Sequence, residues 1–380
     1  MPSLAAEQRQ TRKRALILLW LEGGASPWET FTPMDDRSPV EFRGGMPTVQ
    51  TALPGVRVSQ HLPQVASLLD RCTLVRTATS ESGDHFISAD RLLREGKSEP
   101  GAQTFGELHG SSLATGGVPY TFLNMPGQYQ NDDATLRCHR PAQAMRFDWC
   151  PKRQCIPPPS VRIDAETQAR QRERRALLEA FDTGIVHAPA AQQMDRTRQT
   201  AFDLLSGSGS YFKAFETSAA ERRAFGERDP GKNPLACAAA VAHKMVMAGA
   251  GIVTIHHCHR QGWDAHSEAE KRLPSLLDEL DGALSELIRR SRADGFSVVC
   301  TSEFGRTPRI NGGGGRDHHD VHFLCAAGQG WKQGAVHGTL KPKGEIADGA
   351  VTNQVLANTM LAACGLELSP AKPRLRDVLE

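Results

Sequence analysis

Short apolar runs that alternate with stretches of helical periodicity restrict this chain more than any other feature. Ala15–Leu21, Cys72–Thr77, Tyr120–Leu123, Gly251–His256, Phe296–Thr301 and Phe323–Ala327 are each bounded by turn or polar residues, as buried strands are. Between them lie helical patterns. Leu273, Leu276, Leu277, Leu280, Leu284, Leu287 and Ile288 form a stripe spaced at three and four that ends before Gly295. A second helix is expected from Asn233-Pro234, where Asn caps and Pro suits the first turn, through Val246 to Gly249. Leu62, Val65, Ala66 and Leu69 predict a third amphipathic helix, leading into Cys72–Thr77. The order of these elements is that of a parallel or mixed sheet covered by helices.

With 380 residues the chain exceeds the roughly 250–300 at which one core usually stops growing, so a single domain over 15–380 is expected to carry insertions. The Pro-, Gln-, Asn- and Asp-rich composition after Met125, followed by charge and helix formers from Asp164 to Ala180, predicts a surface insertion and helical cap at about 125–225. Residues 1–14 are expected to be disordered. Lys and Arg number 45 against 43 Asp and Glu, a formal charge of +2 with no long run of either sign, which argues against a nucleic-acid track or a polybasic membrane patch. Ala15–Leu21 is far short of the roughly 20 apolar residues of a membrane span, and Glu22-Gly23-Gly24 follows it without a signal-cleavage pattern, so a cytoplasmic location is expected. The nine cysteines are odd in number and mostly set in apolar segments, as buried thiols are; Cys138, Cys150 and Cys155, in a proline-rich stretch, leave open a zinc knot or a local disulfide.

Ligands of open α/β sheets sit beyond the carboxyl ends of strands, and polar residues cluster there in this chain. Gly262-Trp263-Asp264-Ala265-His266 offers a carboxylate and an imidazole that can aim at one divalent ion, or a polar loop whose histidines bond backbone. In Ser302-Glu303-Phe304-Gly305-Arg306, Glu303 could ligate a cation while Arg306 meets a phosphate or sulfate, or the two could simply pair with each other. Gly312–Gly315, leading into Arg316-Asp317-His318-His319, frees the backbone to approach a ligand or forms a plain surface loop. Near the front, Glu22-Gly23-Gly24 follows the first strand, and Asp84 reads as an N-cap of a helix whose first residue is His85.

Leu21-Glu22-Gly23-Gly24-Ala25-Ser26, Gly262–His266, Glu303–Arg309 and Gly315–His318, in this order, resemble a sulfatase-like domain-of-unknown-function 1501 family of the alkaline-phosphatase-like superfamily. The resemblance spans nearly the whole chain and includes Ala201-Phe202-Asp203-Leu204. It implies an α/β fold with an alkaline-phosphatase-like central sheet, mixed and mostly parallel, flanked by helices on both faces. It also implies one or two divalent metal ions (Zn, Mn, Mg or Ca). Asp264, His266 and His318 would correspond to one metal position, Glu22 and Glu303 to a second, and Arg306 and Arg316 would face an oxyanion. Asp317 would orient a neighbouring histidine or arginine.

Some positions depart from that pattern. Where the superfamily places a hydroxyl or modified cysteine nucleophile at a helix N-terminus, this chain has His85, with Ser80, Ser82 and Ser88 nearby. Pro27, Glu29 and Phe86 stand where the family commonly has His, Asp and His, and the twin-arginine export signal of many relatives is missing, which leaves export open if the start lies elsewhere. The resemblance implies a metal-dependent hydrolase acting on an anionic small-molecule or glycan ester of phosphate or sulfate. The alternative is a non-catalytic member that binds an anion, glycan or protein partner through the same cleft.

Overall fold

The fold is that of a computed structural model, which describes residues 13–97, 102–114, 120–125, 145–148, 165–181, 209–229, 233–258 and 262–380. Its centre is a nine-stranded sheet. The strands are β1 (Leu16–Glu22), β2 (Cys72–Thr79), β3 (Thr121–Met125), β4 (Met145–Asp148), β5 (Ile252–Cys258), β6 (Ser297–Thr301), β9 (Val321–Gly328), β10 (Ala335–His337) and β11 (Val351–Thr352), with β7 (Gly305–Arg306) and β8 (His318–His319) forming a separate antiparallel ribbon. In space the order is β10, β2, β9, β6, β1, β5, β3, β4, and β11 also pairs with β2. Among the described residues only β9 runs against its neighbours, β6 and β2; the other pairings in this sheet are parallel.

β1 shows why its run is continuously apolar. All of Leu16–Glu22 is buried, with Ile17, Leu19 and Leu21 in the core on one face and Leu16, Leu18 and Trp20 in the core on the other. The first core is covered by α4 (Pro234–Met247) and α5 (Ala269–Asp294), the second by α1 (His85–Leu93), α2 (Phe105–Leu113) and α6 (Asn353–Ala363). Helices therefore flank both faces, as expected. A further helix, α3, spans Ala165–Phe181.

Local signals set the helix ends. Asn233 Oδ1 accepts the Ala236 N–H at 2.8 Å to start α4, and Gly295 closes α5 in the left-handed conformation at φ 78°. The helix expected from Leu62 to Leu69 is shorter, Pro63–Ala66 followed by one 3₁₀ turn at Leu69–Arg71. Asp281 of α5 accepts the Gln64 and Val65 N–H groups and holds that first turn. Within the expected insertion, Met145–Asp148 joins the sheet beside β3. Ala201–Leu204, Cys138, Cys150 and Cys155 lie outside the described residues, while Cys72, Cys237, Cys300, Cys325 and Cys364 are buried. Among the described residues no helix is long and apolar enough to cross a membrane.

Candidate metal centre

Because β1, β2, β5 and β6 are parallel, the segments after them leave the sheet at one edge, and the antiparallel β9 begins there, with Val321 beside Thr79. His318 therefore arrives at the same edge as His85, Asp264 and Glu303. Fine placement comes from local packing. Trp263 is fully buried and its Nε1 donates to His257 Nδ1 at 3.1 Å, which anchors the loop that carries Asp264. Gly23, at φ 120°, passes so close that a side chain there would sit 3.0 Å from Asp264 N. The β7–β8 ribbon pairs Arg306 with His318.

The two imidazoles are oriented through their outer nitrogens. His266 Nδ1 lies 3.0 Å from Asp317 Oδ1, and His318 Nδ1 lies 2.7 Å from Gly83 O. A carboxylate and a carbonyl only accept, so each Nδ1 carries the hydrogen and each Nε2 presents a lone pair when its ring is neutral. Those Nε2 atoms are 3.0 Å apart, and Asp264 Oδ1 is 3.0 Å from one and 3.3 Å from the other. Ligand atoms on a tetrahedral ion at about 2.0–2.1 Å are roughly 3.3 Å from one another, so this triangle has the edge lengths of a metal face. An outer carboxylate on a histidine, as Asp317 is on His266, is the usual support for such a ligand. The donor set fits zinc or a similar divalent cation.

His85 completes the cluster. It shares with Asp264 and His318 a group of ligand atoms all within 4.8 Å of one another, and its ring meets those of Phe304 and His318 edge-on. Its Nε2 is 3.7 Å from Asp264 Oδ2 and its Nδ1 is 3.4 Å from Glu303 Oε1. Burial opposes protonation of this ring, but the two carboxylates outweigh it and raise its pKa to about 9. Burial likewise opposes ionisation of Asp264, yet His318, His85 and Arg306 hold its carboxyl well below the usual range. Glu303 is fully buried and accepts from Gly23 N, Gly24 N, Trp20 Nε1 and the Ser302 hydroxyl at 2.8, 3.0, 3.0 and 3.1 Å. It backs His85 rather than joining the triangle. Asp84 caps α1 by accepting from Phe86 N and Ile87 N.

Three further expected site residues are placed differently. Glu22, the last residue of β1, points to the face of Trp20 and binds His256 Nε2 at 2.7 Å, and His256 Nδ1 in turn meets Asn124 Oδ1 at 2.8 Å. Arg306 is 1% exposed and donates to Gly24 O, Gly23 O, Arg316 O and Asp264 Oδ1, and its remaining N–H lies 3.4 Å from His266 Nε2. Arg316, equally buried, is held by Glu29 Oε1 at 2.7 Å and by Thr307 O, Pro308 O and Phe42 O. Both guanidiniums are engaged chiefly by atoms of the protein itself. Ser80 and Ser88 are buried and give their hydroxyl hydrogens to Ser82 O. His256 and Asn311, which contacts Asp317 and His266 O, were not singled out by any motif.

No curated protein matches this chain. Among solved structures it is similar to the alkaline phosphatase of the Antarctic bacterium TAB5 (11% identity, 94% of this chain and 100% of that one, TM-score 0.44). It is also similar to the PsFucS1 sulfatase of Pseudoalteromonas sp. (13% identity, 97% and 72% of the chains, TM-score 0.43). A third similar structure is an alkaline phosphatase superfamily protein of Vibrio parahaemolyticus (11% identity, 96% and 69% of the chains, TM-score 0.42). Residues 13–374 match the family described as protein of unknown function DUF1501, and the chain belongs to that family.

Proposed function

We propose that this protein is a metal-dependent hydrolase of phosphate or sulfate esters, with a divalent cation held by Asp264, His266 and His318 and flanked by His85. The observation that carries the reading is the triangle of Asp264 Oδ1, His266 Nε2 and His318 Nε2, with edges of 3.0, 3.0 and 3.3 Å. A divalent cation there would supply Lewis acidity to an ester oxygen. The chain's own groups do the rest. Asp317 and Gly83 O fix the two rings, and Arg306 fixes Asp264. His85, between Asp264 and Glu303, is placed to carry a proton and pass it from Nε2 to a departing ester oxygen. The hydroxyls of Ser80 and Ser88 are turned to Ser82 O and Ser82 Oγ accepts the Asp84 N–H, so attack is assigned to water, whose proton leaves with the released phosphate or sulfate.

The second reading, a non-catalytic member that binds an anion, glycan or protein partner, is favoured by the engagement of Arg306 and Arg316 within the protein. Purified protein loaded in turn with Zn, Mn, Mg and Ca, and offered aryl phosphates, phosphodiesters and aryl sulfates, separates the two. Turnover of at least one ester, lost in Asp264→Ala, is the expected result. A metal-loaded protein that turns over none of them supports the binding reading instead.

A further inference from the structure

The glycine run 312–315 is clasped by one side chain, that of Asn311. Its Nδ2 is 2.9 Å from His266 O and 3.1 Å from Asp317 Oδ1, while its Oδ1 accepts from Gly313 N at 2.9 Å and Gly315 N at 3.2 Å. The amide orientation has no alternative, because the first two partners only accept and the last two only donate. The backbone adds to the clasp: Asn311 N donates to Gly315 O and Gly314 N to Asn311 O, while Glu268 N and Ala269 N donate to Gly313 O and Gly314 O. Gly315 lies flat against residues 265–267, where any Cβ would overlap Ala265 O and the backbone of His266 and Ser267.

Asp317 meets His266 in the open, with side chains 59% and 47% exposed, and an exposed pair of this kind is by itself too weak to hold one geometry. Thr307 holds the Asp317 backbone, and Asn311 braces the pair itself. It holds Asp317 Oδ1 and the His266 carbonyl with the two hydrogens of one amide group, so the carboxylate and the ring it orients move as a unit.

We propose that Asn311 is a positioning residue of the cation site, which fixes His266 through Asp317, and that the glycine run is part of the site's frame. The proposal rests on the reading of Asp264, His266 and His318 as cation ligands. Its metal readout depends on that reading and its ring readout does not.

Two substitutions in the full chain separate positioning from loop stability. Asn311→Ala removes the whole clasp. Asn311→Asp keeps an acceptor for Gly313 N and Gly315 N but turns a carboxylate on Asp317 and the His266 carbonyl. Zinc affinity, measured by chelator competition, is expected to fall about 10–100-fold in both, as for loss of other groups that orient a ligand. In the metal-free protein, histidine nitrogen NMR, with His266 assigned from His266→Gln, should show hydrogen at Nδ1 in the wild type and a tautomer mixture in both variants. Wild-type affinity and wild-type tautomer in Asn311→Asp, with only Asn311→Ala impaired, would reduce Asn311 to a loop clasp and overturn the proposal. Wild-type behaviour of both variants overturns it outright. If the wild type takes up no zinc, the cation reading fails, and the tautomer comparison alone decides the role of Asn311.

Discussion

His266 and His318 face each other through Nε2 atoms 3.0 Å apart, each ring pinned through its Nδ1 to an acceptor. A divalent cation held by both rings would take one lone pair from each Nε2 and leave both Nδ1 hydrogens on their acceptors. Histidine nitrogen NMR during zinc titration is therefore expected to move the Nε2 signals of His266 and His318 together while both Nδ1 atoms keep their hydrogens. Movement of one ring alone would mean that the two do not share an ion.

His85 lies between Asp264 and Glu303, and its pKa is raised from 6.5 to about 9. A raised histidine stabilises the fold fully below its unfolded value and ceases to do so as pH climbs through its folded value. The metal-free protein should accordingly lose stability between pH 6.5 and about 9 from this group. Glu303→Gln should narrow that window by lowering the His85 pKa, which NMR titration of the ring reads directly. An unchanged titration would show that Glu303 does not support the imidazolium.

Glu279, on the α5 helix, has a buried Oε2 with no hydrogen-bond partner among the described residues, and burial raises its carboxyl from 4.5 to about 7. The sign is opposite to that of a paired carboxylate. No penalty exists below pH 4.5, it grows as pH rises to about 7, and it stays constant above that. Glu279→Gln is expected to be neutral at pH 4 and to stabilise by about 3 kcal/mol at pH 8 in urea unfolding. Equal effects at both pH values would contradict this.

Much of the sheet could be read from the chain, because strands buried on both faces are written as unbroken apolar runs. Leu16–Glu22 and Ile252–Cys258 lie within two residues of where those runs place them. Ala335–His337 and Val351–Thr352 were invisible: strands of three and two residues carry no period. The site was legible as motifs, but not as directions. Glu22 follows the pleat to the Trp20 side and meets His256, and Arg306 and Arg316 spend their hydrogens on carbonyls that belong to distant segments. Asn311 gave no signal, since its partner His266 is 45 residues away in the chain.

Arg316 and Glu29 form a buried ion pair at 2.7 Å with side chains 2% and 6% exposed. Removal of one member leaves the other charge buried, so Arg316→Met should cost about 3–5 kcal/mol in chemical unfolding. The double change Glu29→Leu with Arg316→Met should recover part of that loss. A single substitution that lowers turnover yet leaves stability intact would mean that Arg316 serves a ligand after all.

Metal content tests the account most directly. Native purification followed by elemental analysis, with zinc reconstitution of the chelated protein, should give a bound divalent ion in the wild type and loss of that ion in Asp264→Ala, His266→Ala and His318→Ala, each still folded by circular dichroism. A wild type that neither carries nor takes up a divalent ion, or one whose ion survives all three substitutions, contradicts the assignment of these residues.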